Sequence, residues 1–180
     1  MLRFETAGES HGQSLVATLT GLPASVPVDL TRLNRELWRR QQGFGRGGRM
    51  KIETDTAEIV AGVRHSMTIG TPIALLIRNS DWANWTEALP VENRPDSEDH
   101  KKKVSRPRPG HADLAGCLKY NLPEARYILE RASARETTAR VALGALAKQY
   151  LACFGIEVLS HVIQVGTARL ERTAAWAEIA

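Results

Sequence analysis

Cysteine is scarce in this chain of 180 residues. The two present, Cys117 and Cys153, stand far apart with no metal-ligand spacing around them, so a disulfide framework and a thiolate zinc site are both excluded. Free, buried thiols in a reducing compartment are expected instead. The five histidines, His11, His65, His100, His111 and His161, form no i,i+4 pair, which argues against a histidine metal site. Long hydrophobic runs are missing as well. The longest, residues 73–77, is far too short to span a membrane, and the opening Met1-Leu2-Arg3-Phe4-Glu5-Thr6 lacks the apolar stretch of a signal peptide. A cytoplasmic soluble protein is the expectation. Charge of one sign is absent too: 24 Lys and Arg against 20 Asp and Glu leave a net +4. That mild basic excess suits a small anionic ligand or a polyanion and does not choose between them.

What is present is ordinary globular composition, 43% apolar and 24% charged, in a length that one well-cored domain over 1–180 accommodates. No internal repeat is visible. Phe4 and residues 14–19 read as short strands around the turn sequence Gly8-Glu9-Ser10-His11-Gly12. Pro23 and Pro27 break the chain. Asp29 then caps a predicted helix to about Arg40, with Leu30, Leu33 and Leu37 at helical spacing. Residues 57–63 and 73–77 read as strands. From about 79 to 108 the chain turns polar and proline-rich, a predicted long surface loop. Ser133-Ala134-Arg135-Glu136 has the capping-box pattern, with Ser133 as N-cap and Glu136 reaching back. The helix it opens is expected to reach about Cys153, with Ala139, Leu143, Leu146 and Tyr150 on one stripe and Gly155 ending it. Residues 156–165 read as a strand and 173–180 as a helix just beginning, so the chain is expected to stop mid-fold.

Three segments concentrate glycine, arginine and histidine. Gly8–Gly12 lets a ligand approach the backbone, with the Ser10 hydroxyl and the His11 imidazole at hand. It also fits the G-x-S-x-G pattern of hydrolases, but that elbow needs a helix to follow, and residues 14–19 are β-like. The competing reading is a hairpin turn with a solvent histidine. Residues 39–49 hold four arginines, Arg39, Arg40, Arg46 and Arg49, on a glycine-rich backbone. Guanidinium pairs donors to match phosphate or carboxylate oxygens, while a solvated basic loop or an RNA-binding Arg-Gly segment remains open. In the third segment, Arg106-Pro107-Arg108-Pro109-Gly110-His111-Ala112-Asp113 precedes Arg131-Ala132-Ser133-Ala134-Arg135-Glu136. There His111 stands where a proline-stiffened loop enters a helix, and Arg131 and Arg135 bracket a second helix start that favours anions. A histidine cap with arginines paired to Glu130 and Glu136 is the alternative. One site for a multiply charged anion explains all three segments together.

In order and spacing these motifs resemble chorismate synthase, and the match runs from Phe4 to beyond Ala147. The resemblance implies an α+β fold, helices sandwiched between antiparallel sheets, in a homotetramer with no nucleic-acid or membrane partner. It implies a lyase of the shikimate pathway, which eliminates phosphate from 5-enolpyruvylshikimate 3-phosphate with the help of reduced FMN. By motif, His11 is similar to the histidine that protonates the departing phosphate, and His111 to the one that keeps the protonation state of the reduced flavin. Ser10, Arg40, Arg46, Arg108 and Arg135 are implied to hold substrate, and Arg131, Ala132 and Ser133 to contact FMN. Arg40 and Arg46 are also the positions linked to NADPH in members that reduce their own flavin. Family members are about twice this length, so residues 1–180 are expected to form the amino-terminal portion of the catalytic domain and to be inactive alone. A non-catalytic anion-binding domain and a basic RNA-binding module are the rival expectations.

Overall fold

Strict alternation builds the first sheet. In β2 (Ser14–Thr20) every second residue, Leu15, Ala17 and Leu19, is buried. The computed structural model, which describes residues 1–42, 52–93 and 102–179, pairs that strand with β1 (Arg3–Ala7) on one side and β7 (Ile73–Arg78) on the other. The register sets Leu15 opposite Ile77, Ala17 opposite Leu75 and Leu19 opposite Ile73, so one face becomes continuously apolar. With β4 (Ala57–Ala61) beside β7, the antiparallel order is β1-β2-β7-β4. Two strands that the sequence did not announce, β3 (Ala24–Pro27) and β6 (Met67–Ile69), join β5 (Val63–Arg64) in a smaller sheet, β3-β6-β5. Pro27 is tolerated at the end of β3, where its missing N–H costs the ladder little.

Two helices cover the apolar face. In α1 (Leu30–Gln41) Asp29 is the N-cap, its carboxylate accepting from the Thr31 and Arg32 amides at 2.8 and 3.1 Å. Leu33 and Leu37 are fully buried, whereas Leu30 is 41% exposed, so the apolar stripe is narrower than its spacing suggested. The second helix, α4 (Thr137–Ala152), presents Ala139, Ala142, Leu143, Ala145 and Leu146 to the same core. Its small residues let it approach α1, β2 and β3 closely. The Gln149 side chain accepts from the Asp29 amide at 2.6 Å and donates to the Asp29 carbonyl at 3.1 Å, tying the end of α4 to the start of α1. This is the expected α+β arrangement of helices against antiparallel sheets.

Between β7 and α4 along the chain come α2 (Asp113–Tyr120) and α3 (Ala125–Arg131), which pack against each other. Several expectations need correction. Ser133 does cap, accepting from the Arg135 amide at 3.2 Å, but it opens a 3₁₀ turn at Ala134–Glu136 that precedes α4. Glu136 does not reach back: its carboxylate accepts from the Thr6 hydroxyl at 2.7 Å and from Arg140 at 2.9 Å. The strand expected over 156–165 shrinks to β8 (Gln164–Val165), paired with β9 (Ala168–Arg169). Ile156, Val158 and Val162 have β-favouring side chains, but among the described residues no strand pairs with their backbone. A short α5 (Trp176–Ile179) follows. Neither thiol is buried: Cys117 is partly exposed and Cys153 exposed. Among the described residues no helix is long and apolar enough to cross a membrane.

The packing predicts a contrast within one helix. Leu37→Ala should cost about 2–5 kcal/mol of stability, while Leu30→Ala should change it by less than about 0.5 kcal/mol. Denaturant titrations of both variants check this, and equal losses would place the core on another face of α1.

Candidate functional site

The turn carrying His11 is shaped by a glycine. Gly8 has φ +97°, and a Cβ there would lie 2.4 Å from the Ser14 carbonyl oxygen, so no larger residue fits without moving the strand. The turn leads from β1 directly into its antiparallel partner β2, which rules out a nucleophile elbow. It is a hairpin connection, but its histidine is not a solvent histidine.

Glu130, in the last turn of α3, holds the turn twice over. Its backbone carbonyl accepts from the Ser10 amide at 3.0 Å, and its carboxylate accepts from the His11 amide at 2.7 Å. The same carboxylate lies 2.9 and 3.0 Å from Nδ1 of the His11 ring and accepts from Arg126 Nη1 at 3.2 Å. The flat face of the ring stacks on Trp85, centroids 3.8 Å apart and planes 23° from parallel. Lys102 Nζ lies 3.9 Å and the Arg126 guanidinium 5.2 Å from that indole, whose Nε1 donates to Asp81 at 2.8 Å. Glu130 is fully buried. Burial pushes its carboxyl upward, but hydrogen bonds from the His11 ring, the His11 amide and Arg126 outweigh that and hold it below the usual range. Further contacts fix the turn: Ser10 Oγ donates to Ser133 Oγ at 3.0 Å, and Arg131 donates to the Gly8 carbonyl at 3.3 Å and the Thr6 carbonyl at 2.7 Å.

A second group of charges adjoins it. Arg135 is buried, with Nε donating to Asn79 Oδ1 at 2.9 Å, Nη1 to Asp55 at 2.6 Å, and Nη2 3.5 Å from Glu53. Each of its three nitrogens thus has at least one partner inside the protein. Asp55 also faces Arg40, 3.7 Å from Nη1, and Arg40 donates to Thr137 Oγ1 at 3.0 Å and to the Ala134 carbonyl at 2.8 Å. Asn79 connects the two groups. Its amide nitrogen donates to the Glu9 and Gly12 carbonyls, at 3.1 and 2.6 Å, while its oxygen receives Arg135.

His111 stands apart. It is exposed just ahead of α2, and no hydrogen bond, ion pair or ring contact joins it to His11. It is not a helix cap; that position is Ala112. Beside it the buried carboxylate of Asp113 receives Arg108 three times, from the backbone amide at 3.0 Å, Nε at 2.9 Å and Nη2 at 2.9 Å. Those hydrogen bonds outweigh burial and hold the Asp113 carboxyl at about 2. This arm reaches the His11 group through its backbone: Val104 accepts from the Ala125 amide at 3.1 Å, and the Lys102 carbonyl accepts from Arg126 at 2.8 Å.

The structure therefore gathers Ser10, His11, Arg40, Arg131, Ser133 and Arg135 into two adjoining groups, with Ala132 exposed between Arg131 and Ser133. Arg108 and His111 form a separate arm, and Arg46 with the rest of 43–49 lies outside the described residues. Sequence reasoning missed Glu130 as the histidine's partner, and Trp85, Asn79 and Asp55 altogether. The stretch after residue 78 was expected to be surface, yet Asn79 and Ala88 are buried and Trp85 is half-buried. A lone Trp-Ala-Asn-Trp in a polar stretch was the available signal. A cleft of about 390 Å³ between α1, α4 and residues 156–159 is a weaker candidate. Of its lining residues, Glu36 and Lys148 are already paired with each other at 2.9 Å.

A family model described as chorismate synthase matches residues 2–179. Chorismate synthase of Solibacter usitatus is 73% identical over 179 residues, 99% of this chain and 46% of the relative. That of Koribacter versatilis is 73% identical over 173 residues, 96% of this chain and 44% of the relative. A crystal structure of chorismate synthase superposes with a TM-score of 0.70 at 45% identity, covering 94% of this chain and 40% of the solved one. The chain thus spans a little under half the length of these relatives.

The Asp113 bridge has a defined pH window. Its folded carboxyl is lowered from 3.8 to about 2, so the bridge contributes fully above about pH 4 and is lost as pH falls through 2. Asp113→Asn should melt below wild type near neutral pH, with the gap closing between pH 4 and 2. A gap unchanged across that window in thermal melts would refute the bridge.

Proposed function

Because the chain belongs to the chorismate synthase family, we propose that its residues build the phosphate-expelling part of a lyase active site. The reaction is the anti 1,4-elimination that converts 5-enolpyruvylshikimate 3-phosphate to chorismate. The carbon–oxygen bond to phosphate breaks, a proton leaves carbon, and a new double bond forms. Phosphate departs carrying negative charge that needs a proton and fixed cations. The observation that carries the reading is the held imidazole: His11 is gripped at Nδ1 by Glu130, 2.9 Å away, and stacked on Trp85, while Nε2 has no partner among the described residues. His11 protonates the leaving phosphate, and Ser10 in the same turn meets the substrate. Arg40, Arg46 and Arg108 take its phosphate and carboxylates. Arg135 acts through Asp55, which lies between it and Arg40.

Reduced FMN fits the stretch Arg131-Ala132-Ser133, where Ala132 is exposed with only a methyl group and Arg131 is 42% exposed beside it. When bound, it supplies electron density that eases the departure of phosphate without net redox change. His111, exposed on its own arm, is assigned to holding the protonation state of that cofactor. NADPH as reductant at Arg40 and Arg46, a homotetramer and a cytoplasmic setting complete the proposal, and the remaining length of the family supplies the rest of the site.

With the carboxy-terminal half of the Solibacter relative joined to this chain, His11→Ala and His111→Ala should each lower turnover by about 10²–10⁴-fold. Near-wild-type turnover in either variant refutes that residue's assignment. An FMN titration followed by the flavin spectrum, with and without substrate, tests the cofactor. Salt-sensitive RNA binding without flavin affinity would favour the RNA-binding reading, and substrate binding without flavin the non-catalytic one.

A further inference from the structure

We propose that Glu130 is a positioning residue that confines proton exchange of His11 to Nε2. The chemistry follows from counting donors. An ionised carboxylate only accepts, and this one already accepts from the His11 amide at 2.7 Å and from Arg126 at 3.2 Å. The Nδ1 of His11, 2.9 and 3.0 Å from its two oxygens, must then be the donor. Nδ1 keeps its hydrogen whether the ring is neutral or cationic, so any proton that His11 gives or takes passes through Nε2. The neutral ring is held as the Nδ1–H tautomer, the reverse of the form that free histidine favours.

The grip acts in two planes. Glu130 fixes the ring within its own plane, and Trp85, stacked at 3.8 Å, fixes its tilt. The His11 amide binds the same carboxylate, so backbone and ring are anchored to one fully buried group. Reliable delivery of a proton to one atom of a ligand requires this kind of fixed direction. That last step rests on the proposed role of His11, whereas the tautomer itself does not.

Nitrogen-15 labelling of histidine in this chain, read by two-bond proton–nitrogen spectra across a pH titration, tests it. Neutral wild-type His11 should show its proton on Nδ1. In Glu130→Gln one amide oxygen faces three donors, so the Nε2–H form should grow, and Glu130→Asp, which keeps two acceptor oxygens, should restore part of the Nδ1–H population. A neutral wild-type ring protonated on Nε2 overturns the proposal, as does a Glu130→Gln variant with the wild-type tautomer. Where that variant does not fold, the wild-type tautomer alone decides. In the joined protein, Glu130→Gln should lower kcat with KM unchanged and add no loss on top of His11→Ala; additive losses overturn the coupling. Full turnover in His11→Ala would refute the functional reading alone, since the tautomer is measured without catalysis.

Discussion

One buried carboxylate organises this site. Glu130 collects hydrogen from the backbone of the Gly8–Gly12 turn, from the ring of His11 and from Arg126, and its own backbone carbonyl takes a further one from Ser10. A buried carboxylate with fewer donors would be costly, because its lost hydration must be replaced. The requirement runs both ways: the turn needs Glu130 to hold His11, and Glu130 needs the turn to remain charged. A link between residues 11 and 130 thereby joins the first hairpin to α3.

The neighbouring arginine–carboxylate group obeys the same rule. Glu53 and Asp55 are buried beside Arg135 and Arg40, so each charge is compensated by others inside the protein. Asn79, following β7, is the hinge between the groups because an amide both donates and accepts. It passes the position of the central sheet to the turn on one side and to Arg135 on the other. Strands and helices thus set the positions of the paired charges in the intervening loops.

The legibility of these features differed by physical cause. Asp29 as a cap, the buried pair Leu33 and Leu37, and the alternation in β2 follow from local rules, and each was readable from neighbouring residues. Ser133 was read correctly as a cap, but Glu136 was drawn to Thr6 of the first strand, a partner distant in sequence. Residues 156–163 show the opposite failure, with strand-like side chains and no strand to pair with among the described residues. The glycine-bounded turn was recognisable, whereas the burial of its histidine was not, since Trp85 and Glu130 lie in other segments.

By itself the sequence determined the motif order that marks the family, with the α+β fold which that resemblance implies, and which short segments carry guanidinium and imidazole groups. Tertiary structure decided which of those groups are spent on internal partners and which keep a free atom. Arg135 and His11 carry equally suggestive neighbours in the sequence, yet one is enclosed by Asp55, Asn79 and Glu53 while Nε2 of the other has no partner among the described residues. The reason is that hydrogen-bond saturation depends on contacts between residues 50 to 120 positions apart, which no local pattern encodes.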